Sequence, residues 1–210
     1  MWLVCAATEN ELAVWDDGLF PHCERFVSGV GIPATFANLL PKVLGGDYSL
    51  LVNIGIAGAY PDSGLSIGKV VFARLERYAD LGMELPEPPG YQALTETPFG
   101  GDYAEPFLLF QPRELLLGSD DVFAAAANGA TVNTCTGTDE TGHRRKYAFD
   151  AGFETMEGAA VAHVGQICGV AVCEIRAISN IAARRDMRPE NIRLALRNLR
   201  EYLEACARKQ

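Results

Sequence analysis

The sequence lacks long apolar runs, paired cysteine motifs and clustered histidines. No stretch approaches the roughly eighteen apolar residues that a transmembrane helix needs, and the first apolar run has no basic segment before it, which argues against a signal peptide. The three histidines and six cysteines show no metal-ligand spacing and no C-x-x-C. We therefore expect reduced thiols in a cytoplasmic protein that has no membrane partner, no metal and no cofactor.

Positive charge and phosphate-binding loops are also scarce. Eighteen Lys and Arg residues face 27 Asp and Glu residues, a net charge of −9, which argues against a nucleic-acid partner. The segment SGVG lacks the third glycine of a dinucleotide fingerprint, and no G-x-x-x-x-G-K-[ST] loop occurs. A small ligand remains compatible with this composition, because a pocket can be locally positive in an acidic protein.

The 210 residues have the composition of one globular α/β domain spanning 1–210. Apolar residues make up 49% and charged residues 21%. The predicted strands are 2–7, 25–28, 50–56, 69–75, 130–134 and 170–178, and the predicted helices are 33–44, about 120–128, 157–168 and 189–207. Their alternation, with near-continuous apolar strands, predicts a central mixed, largely parallel sheet flanked by helices.

One segment, 85–112, departs from this alternation. It holds six of the eleven prolines and three glycines, which disfavours a helix or a central strand. The pattern predicts a long surface excursion within the domain. A lid, an oligomer contact and a plain decorated loop remain alternatives.

Two glycine-rich turns follow predicted strands, SGVGIPA at 28–34 and NIGIAGAYP at 53–61. Glycine lets backbone N–H groups approach a ligand at the carboxyl end of a strand, where open α/β sheets bind small molecules. Each turn by itself is more typical of a tight connection. The two together favour a ligand cleft.

Two charged residues lie in unusual positions. Glu157 begins a predicted helix, so it is either a helix-terminal carboxylate or a buried acid that acts as a general base or accepts from sugar hydroxyls. Arg176 lies inside an apolar strand and must be paired, with Glu174 or another acid close by. The same strand ends at Ser179 and Asn180. A salt-bridged strand end is an equally good interpretation of Arg176.

These pieces occur in an order that resembles the nucleoside phosphorylase and methylthioadenosine nucleosidase superfamily, and within it the futalosine hydrolases of menaquinone biosynthesis. The segments that carry the resemblance are AATENEL (6–12), SGVGIPA (28–34), VNIGIAGAYP (52–61), ERYADLGME (76–84), TVNTCTGT (131–138), ETMEGAAVAHV (154–164) and EIRAISN (174–180). The stretch 85–129 matches poorly.

The resemblance implies catalytic roles for three residues. Glu11 is the implied acid that holds and deprotonates the attacking water, Arg176 lies near that water, and Asn180 faces the base. The implied substrate-binding residues are Ile56, Ala57, Gly58, Thr138, Glu140, Met156, Glu157 and Ser179. Met156 and Glu157 are the implied ribose-binding pair. The loop at 136–141 takes the place of the base-binding loop, with Glu140 where the family has a stacking Phe.

Two departures from the superfamily pattern refine the expected reaction. Adenine-releasing members have Asp where this chain has Asn180, and an amide cannot protonate N7 but can donate to a 6-oxo group, which favours hypoxanthine. Phosphorylases place an Arg and a hydroxyl residue where this chain has Asn53 and Ile56. Without those two groups little remains to bind phosphate, so water is the expected nucleophile.

The expected function is therefore hydrolysis of futalosine, a purine nucleoside, by a homodimer or larger homo-oligomer. Futalosine carries a carboxyphenyl ketone on its 5′ side, and candidates for its carboxylate are Arg184, Arg185, Arg77 and Tyr78. One alternative is a nucleosidase or phosphorylase for another purine nucleoside, such as inosine, methylthioadenosine or S-adenosylhomocysteine. Another is a non-catalytic nucleoside-binding module.

Overall fold

An eight-stranded sheet with helices on both faces organises the chain in the computed structural model, which describes residues 1–18, 20, 22–88, 90–101, 103–116, 124–183 and 188–209. The strands are β1 (Trp2–Ala6), β2 (Cys23–Val27), β3 (Leu50–Ala59), β4 (Val70–Ala73), β5 (Leu75–Glu76), β6 (Gly82–Glu84), β7 (Tyr91–Ala93), β8 (Phe107–Leu108), β9 (Ala124–Ala127), β10 (Gly129–Thr131), β11 (Phe153–Thr155) and β12 (Ala171–Ile181). The α-helices are α1 (Glu9–Leu12), α2 (Ile32–Leu44), α3 (Arg113–Leu116), α4 (Asp139–Phe149), α5 (Gly158–Cys168) and α6 (Pro189–Arg208), and a 3₁₀ helix covers Leu94–Glu96.

The two longest strands, β3 and β12, lie at the centre of the sheet and pair in parallel. The other edge of β3 pairs with β1 along its first half and with β11, antiparallel, at its end. Strand β4 pairs antiparallel with β12, and β9 lies beyond it. Because the remaining pairings of β1 with β2 and of β10 with β11 are parallel, the sheet is mixed and largely parallel, as predicted.

Strand alternation sends successive side chains to opposite helical layers. Val4, Val52 and Ile175 face the layer of α1, α3 and α6, whereas Leu51 and Val172 face α2 and α5. Both faces of β3 and β12 are thus covered by apolar side chains, which explains their near-continuous apolar sequences. The polar residues of β12 follow the same alternation, so Glu174 and Arg176 point to the α5 side together with Val172.

The predicted helix at about 120–128 is wrong where the structure describes it. Residues Ala124–Ala127 form β9, paired in parallel with β4, and 120–123 lie outside the described residues. Alanine favours a helix in isolation, but here its backbone completes the edge of the sheet, so pairing with β4 overrides local preference.

No bounds were predicted for helix α4, because the segment is polar and has no apolar period. Its N-terminus is capped by the Thr138 hydroxyl, which accepts from the Thr141 N–H at 3.2 Å, and its C-cap Asp150 is left-handed at φ 47°. Capping and one buried ring, Phe149, therefore define this helix where the hydrophobic pattern does not.

The 85–112 excursion is only partly on the surface. Phe107 is 4% exposed, and its ring lies 5.8 Å from that of Tyr78 and 5.4 Å from that of His163. Phe99 and Leu108, by contrast, are 81% and 82% exposed. The segment packs onto α5 through aromatic rings while presenting separate apolar side chains to solvent. Within the described ranges, no helix is long and apolar enough to cross a bilayer.

Candidate active site

A cleft of about 630 Å³ opens at the carboxyl ends of β1, β3 and β12, the position where open α/β sheets bind ligands. Its lining residues are Ala7, Thr8, Asn10, Glu11, Val30, Ile56, Ala57, Gly58, Cys135, Glu154, Thr155, Met156, Glu157, Ser179, Asn180, Pro189, Ile192, Arg193 and Leu196. Most of the sequence-predicted site residues are therefore brought together, although they come from four separate segments of the chain.

Glu11 is held at the cleft by two donors. Its Oε1 accepts from the Ile56 N–H at 3.0 Å and its Oε2 from the Thr8 hydroxyl at 2.8 Å, which leaves each oxygen with further acceptor capacity. Thr8 also caps the short helix α1 by accepting from the Glu11 N–H. Only 8% of Glu11 is exposed, so the carboxylate has one orientation and one open side, toward the cleft.

Arg176 lies behind the wall of the cleft and does not line it. Its Nε donates to Glu174 Oε1 at 2.7 Å, and its Nη2 lies 4.0 Å from Glu157 Oε2. A Cβ on Gly55 would lie 2.5 Å from Glu11 Oε1 and 2.6 Å from Arg176 Nη1. The missing side chain of Gly55 thus lets the guanidinium approach the Glu11 carboxylate, and Arg176 is placed to orient acids.

Glu157 occupies the N-cap position of α5 but does not cap it. The Gly158 N–H donates to the Thr155 hydroxyl at 3.1 Å and the Ala159 N–H to the Thr131 hydroxyl at 2.6 Å. The Glu157 carboxylate is therefore free to face the cleft, where its Oε1 accepts from the Gly31 N–H at 2.9 Å. Burial raises the pKa of Glu157, and Arg176 and the Gly31 N–H oppose that rise.

The first glycine-rich turn has a different role from the one expected. The Gly31 N–H is bound to Glu157, so this turn orients a carboxylate. From the sequence, the N–H groups of the turn were expected to approach a ligand directly. Gly31 has φ +85°, a left-handed conformation that glycine adopts without strain. Val30 of the same turn lines the cleft and is 55% exposed.

A β-bulge carries Ser179 and Asn180 into the cleft. The pairing of β12 with β3 shifts between Ile178 and Asn180, so that Ile178 lies opposite Ala57 and Asn180 opposite Gly58. The Ser179 hydroxyl donates to Asn180 Oδ1 at 2.9 Å, and Asn180 Nδ2 donates to the Ile181 carbonyl at 3.2 Å. These bonds orient the amide and leave one N–H of Nδ2 for a ligand.

Glu154 lines the cleft next to Asn180, and sequence reasoning missed it. Gly58 of β3 pairs with Glu154 of β11 on one side and with Asn180 of β12 on the other. The side chains of Glu154 and Asn180 therefore flank this glycine. The Glu154 carboxylate accepts from the Thr136 N–H at 2.8 Å and the Thr136 hydroxyl at 2.5 Å. Glu154 could have been found from the sequence, because it is a polar residue within a short apolar strand just before Met156.

Arg193 is the second residue that sequence reasoning missed, and it is the only cation among the described residues that line the cleft. It lies on α6 between Ile192 and Leu196, which also line the cleft. An apolar period of 3.6 residues marks the buried side of α6. Arg193 lies beside that side, so the period does not point to it.

Two predicted base-binding residues are not brought to the cleft. Thr138 caps α4, and Glu140 is exposed in the first turn of the same helix. Cys135, the residue just before the 136–141 loop, lines the cleft. Arg184 and Arg185 lie outside the described residues. In the part of the chain that the structure describes, no group of His, Cys, Asp and Glu side chains is arranged to hold a metal ion.

Comparisons with known proteins agree on the type of fold. The model of the phosphorylase superfamily matches residues 23–208. The futalosine hydrolase of Acidothermus cellulolyticus is 32% identical over 217 residues, covering 95% of this chain and 86% of that protein. The structure of Helicobacter pylori futalosine hydrolase superposes with a TM-score of 0.78 at 16% identity, covering 100% of this chain and 97% of that chain. A Neisseria meningitidis 5′-methylthioadenosine/S-adenosylhomocysteine nucleosidase in complex with methylthio-immucillin-A gives 0.80 at 14% identity, covering 100% and 99%.

The close approach at Gly55 predicts that Gly55→Ala destabilises the protein. A Cβ there overlaps Glu11 and Arg176 at once, and neither can move without breaking a buried contact, so we expect the free energy of unfolding to fall by about 1–3 kcal/mol. Urea denaturation measures it. The control is Gly18→Ala at an exposed turn, where only the Asp16 side chain is close. Equal stabilities of the two variants would contradict the prediction.

Proposed function

Because this chain belongs to the phosphorylase superfamily, and within it to the futalosine hydrolase family, we propose that it hydrolyses the N-glycosidic bond of futalosine, releasing hypoxanthine and dehypoxanthinyl futalosine. One observation carries the proposal: two oriented carboxylates, Glu11 and Glu157, and an oriented amide, Asn180, face the same cleft. Cleavage of such a bond builds positive charge on the ribose and negative charge on the purine, and these groups match both charges.

Glu11 is the proposed base for water. Its two oxygens are fixed by the Ile56 N–H and the Thr8 hydroxyl and retain lone pairs on the cleft side. A water that donates to this carboxylate loses its proton to Glu11 as it attacks the anomeric carbon. Before the reaction, the Arg176 guanidinium behind Gly55 stabilises the ionised Glu11 carboxylate. After it takes the proton, Glu11 is a neutral acid.

Glu157 is the proposed acceptor for the ribose hydroxyls. The Gly31 N–H holds one oxygen, and Arg176 lies on the other side of the carboxylate at 4.0 Å. The negative charge next to the sugar also stabilises the oxocarbenium-like transition state. In this proposal Arg176 acts through Glu11 and Glu157 and is therefore a positioning residue.

Asn180 and Glu154 are proposed to bind neighbouring polar groups of the base. The free N–H of the Asn180 amide donates to O6 or N7 as negative charge builds on the leaving purine. Glu154 can accept the N1–H of a 6-oxopurine, whereas adenine has no proton at N1. Their placement on either side of Gly58 supports hypoxanthine as the released base.

Water is favoured over phosphate by the groups that surround Glu11. Asn53 is fully buried within the sheet, and Ile56 contributes an apolar side chain to the cleft. The acids Glu11, Glu154 and Glu157 on the same wall disfavour a phosphate dianion by charge repulsion. Hydrolysis is the reaction that this wall supports.

Arg193 is proposed to bind the carboxylate on the 5′ side of futalosine. Ile192 and Leu196 on either side of it supply apolar surface for the phenyl ring. The earlier candidate Tyr78 is 2% exposed and packs among the rings of Tyr103 and Phe107, and Tyr78 and Arg77 are not among the cleft-lining residues.

A cytoplasmic location and a homodimer or larger assembly are also proposed. Reduced thiols support the first, because no two of the six cysteines, all of which the structure describes, form a disulfide. The exposed rings of Phe99 and Phe110 and the exposed Leu108 on the excursion support the second, because they form apolar surface that a second copy can cover.

The proposed function predicts that the wild type releases hypoxanthine from futalosine without phosphate, and that Glu11→Gln or Glu157→Gln lowers kcat by about 10²–10⁴-fold. Removal of either charge loses the base for water or the stabilisation of the ribose cation. Assays of free base from futalosine, inosine and methylthioadenosine, with and without phosphate, measure both effects.

Glu9→Gln is the matched control, because Glu9 is an exposed acid on the same helix as Glu11 and does not line the cleft. A near-normal rate in either cleft variant would remove that residue from the mechanism. Adenine release from methylthioadenosine with futalosine untouched would overturn the proposed substrate.

A second prediction concerns Arg193. Loss of a charge-assisted bond to the substrate carboxylate in Arg193→Gln is expected to raise the KM for futalosine about tenfold, with kcat little changed. The KM for inosine, which has no carboxylate, should not change. Arg197→Gln, one turn further along α6 where Arg197 pairs with Glu201 at 3.9 Å, is the control. An unchanged futalosine KM in Arg193→Gln would exclude this role while leaving the reaction itself intact.

A further inference from the structure

Two buried carboxylates that the proposed mechanism does not use lie behind the cleft. Glu76 on β5 and Glu174 on β12 are both 0% exposed. Glu174 Oε1 accepts from Arg176 Nε at 2.7 Å, so one of the two carboxylates has a cation in contact. Among the described residues, Glu76 forms no ion pair. A second unpaired buried anion beside Glu174 would be costly.

One oxygen of each carboxylate faces the same small space next to α5. A Cβ on Gly158 would lie 2.5 Å from Glu76 Oε1 and 2.7 Å from Glu174 Oε2. A Cβ on Gly129 would also overlap Glu76 Oε1. Only glycine at these two positions lets the carboxyl groups come this close. Within the described ranges, neither of these two oxygens has a hydrogen-bond donor.

The direction of the neighbouring hydrogen bonds determines which Glu76 oxygen can carry a proton. The Thr131 hydroxyl accepts from the Ala159 N–H at 2.6 Å and donates to Glu76 Oε2 at 2.8 Å, the shorter of its two remaining contacts, since the Thr155 hydroxyl lies at 3.3 Å. Oε2 is therefore an acceptor. A proton on Glu76 belongs on Oε1, the oxygen that faces Glu174.

Among the described residues, Arg176 is the one cation whose charge acts on Glu76. The charged and titratable groups that act on Glu76 are Glu174 and Arg176 from β12 and, as weaker neighbours, the Tyr60 and Tyr78 hydroxyls, while β10 contributes Thr131 and β8 the uncharged Phe107 and Leu108. Burial raises the pKa of Glu76, and the charge of Glu174 raises it further. Arg176 already serves Glu174 and Glu157, so Glu76 is the acid without a counter-charge.

We propose that Glu76 is a neutral carboxylic acid whose Oε1 proton faces Glu174, so that the pair carries one negative charge. That charge stays on Glu174 and holds the Arg176 guanidinium in the orientation that presents it to Glu157 and Glu11. Glu76 is thus a positioning residue that acts on the substrate through Glu174, Arg176 and the cleft acids Glu157 and Glu11.

The test is the pH dependence of unfolding for Glu76→Gln. In the wild type, folded Glu76 keeps a proton that the unfolded chain releases above about pH 5, so a rise in pH favours unfolding. The variant has an uncharged amide and no such proton. The ratio of the unfolding equilibrium constants, wild type over variant, should therefore rise about tenfold per pH unit between pH 6 and pH 8. Urea denaturation at pH 6, 7 and 8 measures it.

The matched control is Glu154→Gln, another buried carboxylate replaced by an amide. The described partners of Glu154 include three donors, namely the Thr136 N–H and hydroxyl and Arg145, so this variant should lose stability by the same factor at each pH. A pH-independent ratio for Glu76→Gln, parallel to this control, would show that Glu76 is ionised and would overturn the proposal. If Glu76 is neutral, the wild type has an infrared carboxylic-acid band that is missing from Glu76→Gln. Absence of this band from the wild type would also overturn the proposal.

Activity gives a third readout, which rests on the proposed hydrolysis of futalosine. An amide at position 76 can still donate to Glu174, whereas valine cannot, so Glu76→Gln should stay within about threefold of the wild-type kcat/KM while Glu76→Val falls about tenfold or more. An equal fall in both variants would contradict a neutral Glu76. If the wild type cleaves no futalosine, the proposed function fails, but the unfolding experiment still decides the state of Glu76.

Discussion

A guanidinium that is wholly removed from water needs carboxylates around it, and Arg176 meets this need in the middle of a central strand. Glu174 comes from the same strand, Glu157 from the start of α5, and Glu11 from α1 across the gap left by Gly55. Three separate elements are thus tied to one buried cation. Glu11 and Glu157 lie where they do because this cation cannot be left unpaired.

Backbone detail then decides which side chains reach the cleft. The bulge in β12 brings Ser179 and Asn180 to its wall, and two threonine hydroxyls satisfy the first amides of α5 in place of Glu157. A carboxylate at a helix start normally binds those amides. Here it is released to face a ligand, which is why its position in the sequence alone left two interpretations open.

The limits of sequence reasoning follow from the same physics. The strands with continuous apolar runs, β3 and β12, were predicted because burial on both faces leaves a clear pattern. The bounds of helix α4 were missed because its ends depend on capping, and β9 was mistaken for a helix because pairing with β4 outweighs the helical preference of alanine. Glu154 was missed although it is a polar residue in a short apolar strand, and Arg193 was missed because a charged residue beside the apolar side of a helix is an ordinary pattern.

The sequence by itself determined the fold class, the family and the chemical character of the reaction, since apolar periodicity and motif order are local properties of the chain. Tertiary structure decided where individual residues lie. It placed Arg176 behind the wall, Thr138 and Glu140 on α4 away from the lining, and Glu76 against Glu174. The physical reason is that burial, counter-charge and strand register depend on segments far apart in the chain, and these alone set what a charged side chain can do.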